Sequence, residues 1–165
     1  MDPSAPVLHL MCGMPAAGKS TLAARLGADR HTIVLSEDAW LSALFGDQMT
    51  TLADYGRCSA RLRSAMAPHV EALLHAGLCV VLDFPANTPE QRLWMRDVIH
   101  RTGVRHQMHV FDLPDAVCLS RLHRRNAARG HPFAATDAEF AQIARHFSPP
   151  DPSEGFEIVY VAQTG

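Results

Sequence analysis

Short apolar runs alternate along this chain with longer stretches whose apolar residues recur every third or fourth position. Residues 7–12, 32–35, 78–82, 106–111 and 156–161 are the apolar runs, and their length and β-branched content predict strands. Between them, residues 21–26 carry helix formers and end near Gly27. Cys58, Leu62, Met66, Val70 and Leu73 mark one face of a helix over about 55–76, closed by Gly77. Thr88-Pro89-Glu90-Gln91 reads as an N-cap, a proline in the first turn and a capping-box glutamine, opening a helix that turns Trp94, Met95, Val98 and Ile99 inward. Thr136-Asp137-Ala138-Glu139 repeats that signature before Phe140 and Ile143. A further helix over 115–128 carries Arg121, Arg124 and Arg125, and the prolines of 148–153 predict a connecting loop. Strand and helix in alternation imply parallel βαβ units, hence an α/β fold.

The first strand runs into Gly13-Met14-Pro15-Ala16-Ala17-Gly18-Lys19-Ser20, which satisfies G-x-x-x-x-G-K-[ST] at every fixed position, and Thr21 opens the helical pattern. Glycines let successive backbone N–H groups converge on one anion, and the helix adds its positive end. Lys19 reaches the β- and γ-phosphates, and the Ser20 hydroxyl is a ligand for Mg²⁺. A strand before and a helix after are the context this motif requires, so a phosphate-binding loop is the reading. Lys19 is also the only lysine among fifteen basic residues.

The 165 residues, 47% of them hydrophobic, suit a single domain spanning 1–165 that buries roughly 70% of its unfolded surface. A net charge of −2 gives no global basic field, which disfavours a non-specific nucleic-acid binder. Cys12, Cys58, Cys79 and Cys118 are widely spaced and form no C-x-x-C, which predicts free thiols in a reducing compartment and fits the cytoplasm. No run approaches the ~18 apolar residues of a membrane span, and residues 1–4 lack the basic start of a signal peptide. The ten histidines are scattered, without metal-ligand spacing.

Phosphoryl transfer needs a base for the acceptor and cations on the oxygens that gather charge. Asp38 follows the second strand, where the carboxyl ends of a doubly wound sheet face the ligand crevice, and is the candidate base. Its competing reading is an acidic first turn, with Glu37, of a helix capped by Ser36. Asp83 closes the third apolar run; it either holds the Mg²⁺ water shell or positions the acceptor, with a plain strand-end turn as the alternative. Arg125 and Arg129 are i,i+4 neighbours with nothing acidic beside them. They read as a clamp on a lid hinged at Gly130 and Pro132, against a solvated charged face. Trp40, Leu41, Leu44, Phe45 and Phe84 are candidates to line an acceptor pocket.

On these residues the chain resembles, from about 7 to 147, the P-loop kinases grouped around phage polynucleotide 5′-hydroxyl kinase, zeta-type toxins and chloramphenicol phosphotransferase. It is similar to the polynucleotide kinase again at 83–92, at Val110-Phe111-Asp112-Leu113-Pro114 and at Arg125-Asn126-Ala127-Ala128-Arg129-Gly130. The resemblance implies a P-loop NTPase fold with a five-stranded parallel sheet in order 2-3-1-4-5, helices on both faces and a small helical lid over about 121–135. It implies Asp38 as base, Arg125 as nucleotide lid and Arg129 as the transition-state cation. The chain departs from the polynucleotide kinase at Leu41, where that enzyme has an acceptor-binding arginine.

The expected activity is therefore an ATP-dependent, Mg²⁺-dependent kinase, GTP not excluded, acting on a hydroxyl of a small molecule, nucleoside or nucleotide. Trp40, Leu41, Asp83 and Phe84 would meet the acceptor, with an apolar or aromatic portion stacking on Trp40 or Phe84. Arg57, Arg61 and Arg63 are the residues that would instead favour a polynucleotide acceptor. A nucleotide-hydrolysing switch acting on a partner is the alternative from another class. Nothing in the sequence fixes an oligomeric state.

Overall fold

The computed structural model describes residues 5–128 and 134–162. Strands β1 (Val7–Cys12), β2 (Thr32–Ser36), β3 (Cys79–Pro85), β4 (Arg105–Val110) and β5 (Ile158–Tyr160) form one sheet in the order β2-β3-β1-β4-β5. Every neighbouring pair is parallel. The helices that return the chain are α1 (Lys19–Leu26), α2 (Glu37–Phe45), α3 (Leu52–His75), α4 (Pro89–Thr102), α5 (Asp115–Ala127) and α6 (Asp137–His146). The strand order expected from the resemblance is the one observed.

Strand alternation divides the core in two. Leu8, Leu10, Val80, Leu82 and Met108 project to one face, where they meet Leu62, Met66 and Val70 of α3 and Met95 and Val98 of α4. Met11 and Val81 project to the other, against Ala23 of α1, Cys118 and Leu122 of α5 and Phe140 of α6. Both faces of the sheet are therefore covered, and the central strands can be apolar throughout. All four cysteines are free, and three are buried. Among the described residues no helix is long and apolar enough to cross a membrane, and no cluster of three His, Cys, Asp or Glu could hold a metal ion.

Boundaries moved where local chemistry outweighed hydrophobic pattern. Helix α3 begins at Leu52 rather than 55, because Thr51 accepts from the Asp54 N–H and Asp54 answers to the Thr51 backbone in a full capping box. The glutamine of the α4 start caps one residue early: Thr88 accepts from Gln91 N at 3.2 Å, but Gln91 Oε1 takes the N–H of Asn87 at 2.9 Å. Within the predicted loop 148–153, Asp151 and Glu154 cap a short 3₁₀ turn over Pro152–Glu154. The fifth strand keeps only three residues of the apolar run 156–161.

Strand β3 is longer than its apolar run. It continues through Asp83, paired with Ser36 of β2, and on to Pro85 beside Met11, past an irregularity in the β1 register. This carries Asp83 and Phe84 inside the strand instead of into a turn, so the turn reading of Asp83 does not hold.

Candidate active site

The phosphate-binding loop leaves β1 at Gly13 and enters α1 at Lys19. A Cβ on Gly13 would lie 2.8 Å from the Phe111 Cβ, so the loop can pass the end of β4 only without a side chain there. Gly18, the residue before α1, sits at φ 109°. Ala16 also adopts a positive φ, 61°, a conformation that costs an L-residue about 1 kcal/mol. The Lys19 ammonium folds back over the loop, donating to Gly13 O at 2.7 Å and Met14 O at 2.8 Å. Burial pushes its pKa down to about 8, opposed mainly by Asp83 and more weakly by Asp38.

One cleft of about 770 Å³ opens over this loop. Lys19, Ser20 and Thr21 form its floor, with Asp38 from α2 and Asp83 from β3 facing them. Asp38 is close enough electrostatically to raise both Lys19 and Arg125. Arg121 and Arg125 come from α5, and His146 from α6. The Glu139 carboxylate on the same side is engaged by the α6 capping box, accepting from Thr136 N at 2.7 Å. Burial lowers the Arg125 pKa against the attraction of Asp38. Its Nε is buried with no hydrogen-bond partner among the described residues, an open donor of the kind an anion satisfies. Arg129, Gly130 and Pro132 of the expected lid lie outside the described residues.

Helix phase sorts the residues expected at the acceptor. Glu37 and Leu41, four apart, share the inward face of α2, and both are buried at 1% and 0% exposure. Leu41 is therefore a core residue and does not meet an acceptor. Trp40 and Leu44 share the outward face, at 37% and 51% exposure, and neither lines the cleft. Phe45 packs against the core under α3 and α4. Phe84 borders the cleft but is 1% exposed, its ring tilted 59° against Trp94 at 5.3 Å. It offers an edge and not a stacking platform.

Three functional placements have no local signature in the sequence. Glu37 accepts from Tyr55 Oη at 2.6 Å and from the Ser59 hydroxyl, tying the first turn of α2 to α3 directly beside Asp38. Burial raises its pKa, and the two hydroxyls and Arg63 oppose that rise. Asn87 accepts the Gly13 N–H at 2.9 Å, so the residue after β3 holds the entrance of the phosphate loop. Asn87 is held in turn by Gln91 and by the Ser148 N–H, which donates to its carbonyl at 2.8 Å. Arg92, 1% exposed, then locks the whole corner: it is bidentate to Glu154 at 2.7 Å and donates to Ala86 O and Ser148 O.

Comparison with solved structures finds the same fold in several proteins. A protein from Chloroflexus aurantiacus, provisionally described as a kinase, superposes with a TM-score of 0.73 at 20% identity, covering 95% of this chain and 85% of that one. The APS kinase CysC of Mycobacterium tuberculosis, in complex with AMPPNP and APS, gives 0.62 at 20% identity over 98% of this chain and 92% of that one. A chain of the Pnkp1/Rnl/Hen1 RNA repair complex gives 0.62 at 21% identity, covering 86% of this chain but 43% of that one. At such identities the likeness is one of fold. No curated protein sequence matches this chain. The family profile described as AAA domain matches residues 8–150, and with its phosphate loop, parallel sheet and kinase neighbours the chain belongs to that family, AAA_33, among the P-loop kinases.

Proposed function

We propose that this protein is an ATP-dependent kinase that transfers the γ-phosphate to a hydroxyl of a small molecule, with Asp38 as the base. The observation that carries this reading is the placement of Lys19, Asp38 and Arg125 around one cleft, with Asp38 facing the phosphate loop across it. The acceptor oxygen attacks the γ-phosphorus, the bond to the bridging β–γ oxygen breaks, and ADP leaves with that electron pair. The hydroxyl proton passes to the Asp38 carboxylate. Lys19 and Arg125 bind and orient the phosphates, and Arg129, by the family resemblance, meets the charge that develops in transfer.

The Ser20 hydroxyl and the Asp83 carboxylate, both at the cleft floor, are hard oxygen donors of the type Mg²⁺ takes, and the few protein ligands here suit an ion that keeps waters and phosphates in its shell. Such an ion would neutralise charge on the β- and γ-oxygens. The Glu37, Tyr55 and Ser59 cluster holds α2 so that Asp38 faces the loop. The free thiols suit a reducing compartment such as the cytoplasm.

An acceptor screen read by mass tests this. With ATP and Mg²⁺, one class of hydroxyl compound should gain a single phosphoryl group. Asp38→Asn should lower that transfer by roughly 10²–10⁴ while ATP still binds. Undiminished transfer by Asp38→Asn would remove Asp38 as base, and loss in Asp83→Asn alone would give the role to Asp83.

A further inference from the structure

The charges lining the cleft are not mixed. Every basic side chain among its described residues comes from the phosphate loop, α5 or α6: Lys19, Arg121, Arg125 and His146. The opposite wall, built from the start of α2, residues 49–55 and the stretch from β3 into α4, carries Glu37, Asp38 and Asp83 and no basic side chain among the described residues. The rest of that wall is polar or apolar, including Thr50, Leu52, Tyr55, Thr88 and Gln91.

The arginines of α3 that might have supplied cations do not face this wall. Arg57 is paired with Asp54 at 2.9 Å on the surface, and Arg61 is exposed. Arg63 donates to Ser59 O at 3.3 Å and lines a separate groove between α3 and α4, from which it acts on Glu37. The acceptor wall therefore faces its ligand with carboxylates alone.

Resting on the kinase reading, we infer that the acceptor is a hydroxyl compound without phosphate or sulfate, neutral or ammonium-bearing, held against the wall formed by α2, the start of α3 and the β3–α4 turn. An anionic acceptor would bring like charge against three carboxylates with no cation to balance it, and specificity by such repulsion is strong. The hydroxyls and amides of Thr50, Tyr55, Thr88 and Gln91 match the polar edges of a polyol, an amino sugar or a nucleoside. The leucine at position 52 covers an apolar portion.

Matched pairs test the inference: thymidine against thymidine 3′-monophosphate, ribose against ribose 5-phosphate, and glucosamine against glucosamine 6-phosphate, each offered with MgATP. In every pair that reacts, the unphosphorylated member should be the better acceptor by roughly tenfold to a hundredfold in kcat/KM. A second arm needs no turnover: a fluorescent 5′-hydroxyl oligonucleotide is titrated into ADP-saturated protein. Wild type should show no salt-dependent binding, and Leu52→Arg, an exposed position on the same wall, should create it. A preferred phosphorylated acceptor, or oligonucleotide binding by wild type that weakens steeply with salt, would overturn the inference and leave the kinase standing. ATP hydrolysis indifferent to every acceptor would instead overturn the kinase reading itself, while the oligonucleotide arm still reports the charge of the wall.

Discussion

The two sides of the cleft are built in opposite ways. The phosphate side is a single stretch of chain, Gly13 to Ser20, in which backbone N–H groups, one lysine and a helix start converge on an anion, and its second layer of charge comes from α5. The acceptor side is assembled from three segments, and what fixes it are bonds between distant residues: Tyr55 and Ser59 on Glu37, and Asn87 on Gly13 across 74 positions. One side is cationic and its chemistry is generic to nucleotides. The other is acidic, and its shape belongs to this chain. Specificity therefore resides on the side that sequence patterns describe least.

The largest effect expected on the phosphate side is that of Lys19→Ala. Transfer should fall by about 10³-fold or more and triphosphate binding should weaken with it, measured by single-turnover kinetics and calorimetry. The same lysine predicts a pH signature. With its pKa lowered to about 8, it is protonated below that pH and loses its proton above it in the free protein. The apparent ATP dissociation constant should be flat below pH 8 and rise about tenfold per pH unit above it. A flat profile to pH 10 would mean that Lys19 keeps its charge throughout.

The next effect separates holding the cleft from doing chemistry in it. Arg92→Ala leaves Glu154 without its partner in a buried corner and should cost about 3–5 kcal/mol of stability in urea denaturation. Glu154 is held below the usual carboxylate range, first by its hydrogen bonds from Arg92. Its contribution is therefore present above the unfolded value near 4.5 and is lost as pH falls through the lower folded value. Wild type should lose stability over that acid window, and Arg92→Ala should lose less.

A smaller effect divides the two lid arginines. Arg125→Ala should raise the KM for ATP by roughly tenfold, since its open guanidinium faces the nucleotide side. Arg129→Ala should lower kcat more than it raises KM, as expected of a cation that acts on developing charge. Equal, negligible effects would return this stretch to a solvated face. The smallest effect is Ala16→Gly, which relieves the positive φ at the cost of a more flexible unfolded chain and should stabilise the fold by about 0.5 kcal/mol.

The same contrast explains what could be read from the sequence. The phosphate loop was legible because its function requires fixed residue types at fixed spacing within one turn, and the strand order followed from the resemblance that loop carries. Asp38 was legible as a residue after the second strand. Leu41 and Trp40 were not, because α2 is mostly apolar around its whole circumference, and a rotation of one residue exchanges its buried and exposed faces. Asp83 was placed at a strand end because the apolar run stops at Leu82, whereas pairing with Ser36 carries β3 further. Arg92 and Glu154, 62 positions apart, have no pattern of their own; only the fold brings them together.

The most direct test of the account follows the γ-phosphate through one turnover, with enzyme in excess over γ-labelled ATP and an unphosphorylated acceptor identified by the screen. If the cleft is divided as described, the label moves to the acceptor hydroxyl in wild type and stays on bound ATP in Asp38→Asn. Label released to water at one rate with and without acceptor, in both proteins, would contradict a kinase with Asp38 as its base and point to a nucleotide-hydrolysing switch.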